Sequence, residues 1–124
     1  MPVAFFGVLL GTLLVWTIAI GPQPIKKQMV ICYKFNENTA KAQIEQHFLD
    51  FKMLKGKTPE IVDYTAGFTT NSEENSPKFD AMHYLTFKSE EDIEKFKVSK
   101  LYTDFIETHS VTWKDQMIIN AEVK

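Results

Sequence analysis

The sequence predicts an α+β domain with element order βαββαβ, preceded by an apolar N-terminal segment. Three features carry that reading. Runs of strand-like hydrophobicity occur at Met29–Phe35, Ile61–Thr69, Phe79–Phe87 and Val111–Val123, two stretches of helical periodicity lie between them, and residues 3–20 carry no charge. The chain of 124 residues has room for one domain of roughly 100 residues and a short appendage. Its 44% hydrophobic and 24% charged residues are the balance of a chain that buries a core.

The N-terminal segment reads VAFFGVLLGTLLVWTIAI from Val3 to Ile20, followed by Gly21-Pro22 and Lys26-Lys27. As a helix it would span about 27 Å, enough for a thin hydrocarbon core. One reading is a membrane anchor. Trp16 near the interface, the Gly-Pro stop and the lysine pair all fit it, and the positive-inside rule then puts the domain on the cytosolic side. The single cysteine and the absence of an N-x-Ser/Thr sequon agree with that side. The other reading is a secretory signal cut after small residues such as Ala19 and Gly21, which would release the domain. The expected organisation is a hydrophobic segment over 1–22, a linker over 23–28 and a domain over 29–124. On this basis the protein is a single-pass membrane protein, with secretion as the alternative.

In the first strand, Met29, Ile31, Tyr33 and Phe35 share one face while Val30 and Cys32 occupy the other, the pattern of a central strand buried on both sides. Asn36, Asn38 and Thr39 offer helix caps, and Ala40, Ile44, Phe48 and Phe51 recur at helical spacing until Gly56 and Pro59 end the run. Val62, Tyr64, Ala66 and Phe68 then alternate with Asp63, Thr65 and Gly67 as a half-buried strand. Residues 70–78 are polar and predict a solvent loop. The third strand follows, with Ala81, Leu85 and Phe87 on one face and Met82 and Tyr84 on the other. Ser89 before Glu90, Glu91 and Asp92 is a strong helix start, since the hydroxyl accepts backbone N–H bonds and the acids complement the helix dipole. The second helix runs through Ile93, Phe96, Leu101, Tyr102, Phe105 and Ile106, with a break near Val98-Ser99. In the last strand Val111, Trp113, Met117, Ile119, Ala121 and Val123 fall mostly on alternate positions.

This order is the split βαβ, or ferredoxin-like, plan: four antiparallel strands with the helices on one face. The uncovered face carries large apolar residues, a composition that marks an interface. Two copies paired face to face would close a dimeric barrel, so a homodimer is expected.

Several function classes are excluded or weakened. All 14 basic residues are lysine, so the arginine fork used in reading phosphates and bases is missing, and nucleic-acid binding is not expected. Cys32 alone makes neither a disulfide nor a cysteine-based zinc site, and its apolar neighbours suggest a core thiol. His47, His83 and His109 are too scattered to form a metal motif. His47 reads as a boundary residue of the first helix, and His109 as a helix C-terminal cation favoured by the dipole. His83 alternates with Phe79, Ala81, Leu85 and Phe87 and so faces a dry region, where an imidazole needs partners. Tyr33, Tyr64 and Tyr102 supply hydroxyls. His83, Tyr33, Tyr64 and Tyr102 are therefore the candidate pocket, with no catalytic triad, metal or cofactor expected.

Residues 29–123 resemble the stress-responsive A/B barrel family in the strand MVICYKF, in the third strand and helix start LTFKSEEDIEKF, and in the spacing Phe96, Ser99, Tyr102, Phe105. The resemblance implies a dimeric α+β barrel. Cyclase members of that family use a tyrosine and a histidine in the second helix, in a run of Tyr, His-Pro and His. The matching positions here are Phe96, Ser99-Lys100 and Tyr102, and Met29 takes the place of a strand-one histidine. The function expected is a non-catalytic or small-hydrophobic-ligand-binding homodimer attached to a membrane. The alternative is a cofactor-free cyclase or oxygenase acting on a polyketide-like or aromatic substrate, with His83 and a tyrosine as acid or base.

Overall fold

The computed structural model describes residues 26–70 and 78–124. The expected anchor or signal over residues 3–20, and most of the expected loop over 70–78, lie outside the described residues. Strands β1 (Lys27–Phe35), β2 (Ile61–Phe68), β3 (Ala81–Phe87) and β4 (Trp113–Glu122) form one sheet; helices α1 (Lys41–Gly56), α2 (Glu90–Lys97) and α3 (Lys100–His109) complete the fold, with a 3₁₀ turn at Ser110–Thr112. The sheet order is β2-β3-β1-β4 with every neighbouring pair antiparallel, which is the ferredoxin-like arrangement.

Local chemistry sets the helix boundaries. Before α1 the expected Asn and Thr caps are engaged otherwise: Asn36 donates through its backbone to Thr112 O at 2.8 Å and through its side chain to Val111 O at 3.1 Å. Ala40 is the cap residue instead, its N–H donating to Gln43 Oε1 at 3.0 Å. Ser89 Oγ accepts from Asp92 N at 3.2 Å and opens α2, with Glu90, Glu91 and Asp92 in the first turn. The second helical stretch is two helices. Ser99 Oγ donates to Phe96 O at 2.7 Å, satisfying a carbonyl at the end of α2, and accepts from Tyr102 N at 3.3 Å to start α3.

Two register shifts decide which side chains reach the interior. In β2 the shift between Ile61 and Asp63 lets Ile61 pair with Phe87 and Tyr64 with Leu85, so both face the helices and Val62 turns to solvent. In β4 a shift opposite Lys34 and Phe35 pairs Trp113 with Phe35 while Asp115 pairs with Lys34. Simple alternation puts Trp113 on the face of Met117. The extra residue, Lys114, rotates it to the helix side.

The core lies between the sheet and the helices. Met29, Ile31, Tyr33 and Phe35 of β1 and Ala81, Leu85 and Phe87 of β3 meet Phe51 and Leu54 of α1, Ile93 and Phe96 of α2, and Tyr102 and Phe105 of α3. Among the described residues no helix lies over the opposite sheet face. Cys32 sits there between its cross-strand partners Met82 and Met117 and is itself buried. Around them Val30 and Tyr84 are half-buried, and Ile119 is 46% exposed. Among the described residues no helix is long and apolar enough to cross a membrane.

Candidate functional site

The four candidate residues fall into two pairs, His83 with Tyr64 and Tyr33 with Tyr102, and the Tyr33 ring touches the His83 ring between them. His83, fully buried on β3, has both ring nitrogens engaged: Nδ1 lies 2.7 Å from Tyr64 Oη on β2, and Nε2 lies 2.9 Å from Nε2 of His47 on α1. Phe51 stacks on the His83 ring at a centroid distance of 3.9 Å, and Tyr33 meets it edge-on at 5.5 Å. His47 is not a boundary residue but is fully buried. Its spacing with Ile44, Phe48 and Phe51 is one helical face, the sequence signal that places it inside.

The direction of this hydrogen-bond chain follows from its first member. Trp113 Nε1 donates to His47 Nδ1 at 3.4 Å, and an indole can only donate. His47 therefore carries its proton on Nε2 and donates to His83 Nε2. His83 in turn carries its proton on Nδ1 and donates to Tyr64 Oη. The chain runs from edge strand β4 through α1 and β3 to edge strand β2, all of it with neutral imidazoles. Burial holds both histidines neutral: His47 is pushed down to about 3 by desolvation and then by His109, with Asp50 opposing. His83 is likewise pushed down to about 3 by desolvation and then by His47.

Tyr33 and Tyr102 form the second group, toward β4. The Tyr33 hydroxyl is buried and makes no hydrogen bond among the described residues. Tyr102 and Gln116 are the polar side chains beside it, and desolvation raises the Tyr33 pKa well above the ordinary phenol value. Tyr102 stacks on Phe96 at 4.4 Å, and desolvation raises its pKa as well. His109 ends α3 as expected, and its Nε2 lies 2.7 Å from Asp50 Oδ2, linking α3 to α1. Two grooves flank these groups. One of about 200 Å³ lies between α1 and α3 over Asp50 and His109; another of about 360 Å³ lies between α1 and β2 and is lined by Glu45, Phe48, Leu49 and Phe68.

The chain matches the family described as Stress responsive A/B Barrel Domain over residues 27–123. No curated protein matches it. Among solved structures it is similar to the hydroxynitrile lyase from Passiflora edulis, with 18% identity, a TM-score of 0.74, and coverage of 82% of this chain and 95% of the lyase. A dimeric ferredoxin-like protein of unknown function from Thermobifida fusca has 12% identity and a TM-score of 0.71, covering 84% of this chain and 96% of its own. A Dabb family protein with a ferredoxin-like fold from Mesorhizobium loti has 6% identity and a TM-score of 0.67, covering 78% and 95%. At such identities the likeness establishes the fold alone.

Proposed function

The chain belongs to the stress-responsive A/B barrel family, and from that premise we propose that it is a membrane-attached homodimer that binds a small hydrophobic ligand rather than turning one over. The observation that carries the reading is the uncovered sheet face, where Val30, Cys32, Met82, Tyr84, Met117 and Ile119 lie in register across three strands. A contiguous apolar surface of this kind favours a second copy of the same face. The dimeric state of ferredoxin-like relatives such as the Thermobifida fusca protein supports it. Membrane attachment rests on the uncharged segment Val3 to Ile20 and on Lys26-Lys27, which favour an uncleaved anchor with the domain in the cytosol. The anchor and its linker would then lead directly into β1, which begins at Lys27.

Binding is favoured over turnover by the state of His83. A general base needs a free nitrogen and a pKa near neutrality, whereas His83 spends both nitrogens on His47 and Tyr64 and is pushed down to about 3. Native mass spectrometry of the full chain extracted from carbonate-washed membranes tests the reading. Two chains of undiminished N-terminus in the washed pellet are expected. A single-chain species, or a mature protein beginning between Ile20 and Gln23, would refute the dimer or the anchor respectively.

A further inference from the structure

Cys32 is 1% exposed although, among the described residues, no helix lies over its face of the sheet. Its cover comes from side chains of the same face, and the two set directly against it are both methionines. Met82 on β3 and Met117 on β4 are its cross-strand partners. Directly opposed residues stand about 5 Å apart at Cβ, a gap that methionine spans on its three rotatable bonds. A thiol flanked by two thioethers thus lies in one row across β3, β1 and β4. Tyr84 Oη donates to Met82 Sδ at 3.6 Å, and Tyr84 belongs to this face, so that sulfur lies outside the helix-side core. Both methionines are half-buried, which leaves the row open to an ion from solvent. Among the described residues no three histidine, cysteine or carboxylate side chains are grouped as metal ligands, so it is the thioethers that turn this thiol into a donor set.

We propose that Met82, Cys32 and Met117 bind one copper(I) ion as a trigonal three-sulfur site. Softness and charge select the ion. Thiolate and thioether donors suit soft ions such as Cu(I), whereas carboxylate and water suit the hard ones. The thiol gives its proton to solvent as the sulfur–copper bond forms, and one thiolate on one monovalent cation leaves the complex neutral. A neutral complex suits an apolar face, whereas Zn(II) on the same sulfurs would leave an unpaired positive charge there. Copper stays in the +1 state throughout, so no electron donor is needed. The site goes beyond the ligand-binding reading and does not depend on it; pairing two such faces would bring neutral sites, not charges, into the interface.

The test uses the full chain in lipid nanodiscs under argon, with empty nanodiscs as the blank, and titrates it against Cu(I) held by bicinchoninate, whose colour fades as the protein takes the ion. One copper per chain is expected, with three sulfur neighbours and no nitrogen in its X-ray absorption spectrum. Cys32→Ala should abolish this binding. Met82→Leu and Met117→Leu keep the apolar volume and should each weaken it roughly tenfold or more. Met53→Leu, on the exposed side of α1, should leave it unchanged. Affinity untouched by the Met82 and Met117 substitutions would reduce the site to a lone thiol and overturn it. Nitrogen neighbours, which point to the histidines, or an equal loss in Met53→Leu would also overturn it. Should Cys32→Ala fail to fold, the three volume-conserving leucine variants still decide the matter. A wild type that leaves the copper with bicinchoninate would end this proposal while the dimer and ligand-binding readings stand.

Discussion

His83 and His47 meet nitrogen to nitrogen at 2.9 Å with no exposure to solvent, so their protonation is tied to folding. Each imidazole is pushed down to about 3 from 6.5, which means the folded chain binds fewer protons than the unfolded one at mildly acidic pH. Their contribution to stability is complete above about pH 6.5 and is lost as the pH falls toward 3. Each group contributes a slope of about 1.4 kcal/mol per pH unit in that window. Urea denaturation at pH 7, 6 and 5 should show this loss, and a His47→Leu, His83→Leu double variant should flatten it; an equal slope in the variant would remove the histidines as its cause. The tyrosines should respond in opposite senses. Tyr64→Phe strands the buried His83 N–H and is expected to cost about 1–3 kcal/mol. Tyr33→Phe removes a buried hydroxyl that makes no hydrogen bond among the described residues and is expected to be neutral or stabilising by up to about 1 kcal/mol. Of this network, the buried placement of His83 is readable from strand alternation, whereas His47 reads as a boundary residue although its spacing with Ile44, Phe48 and Phe51 carries the signal of its burial. Trp113 was not readable, because the single residue that turns it inward leaves no mark on the pattern.

Element order and strand faces follow from local periodicity, which explains why all four strands, the helix start at Ser89 and the break near Val98-Ser99 are legible before any tertiary contact is known. What alternation misses is register. A bulge moves every residue beyond it to the other face, and here it moves Trp113 and Ile61 into contact with the core. Deleting Lys114 should therefore leave Trp113 opposite Phe35 on the helix side, now in unbroken alternation with Asp115 and Gln116. In residues 26–124, where Trp113 is the sole tryptophan, its emission is expected to keep the wild-type maximum; a shift to the red would contradict this register. At the junction of α2 and α3, Ser99 serves both helices through one hydroxyl. Ser99→Ala is expected to cost about 1 kcal/mol, the usual worth of an N-cap, read as a lower urea midpoint with an unchanged m-value.

At the scale of the whole molecule, helices cover one face of the sheet, and the other carries apolar side chains from three strands with a buried cysteine at its centre. A sheet with one apolar face left uncovered gains by pairing, and burial of that face is what a homodimer would supply. Ile119 is the discriminating position: at 46% exposure a lysine there is tolerated by a monomer but places a charge within the proposed dimer interface. Sedimentation equilibrium of residues 26–124 at tens of micromolar, with Val111→Lys on the exposed 3₁₀ turn as the control substitution, tests the central claim most directly. Wild type and Val111→Lys are expected to sediment as dimers and Ile119→Lys as a folded monomer; a monomeric wild type, or a dimer that Ile119→Lys leaves intact, would contradict it.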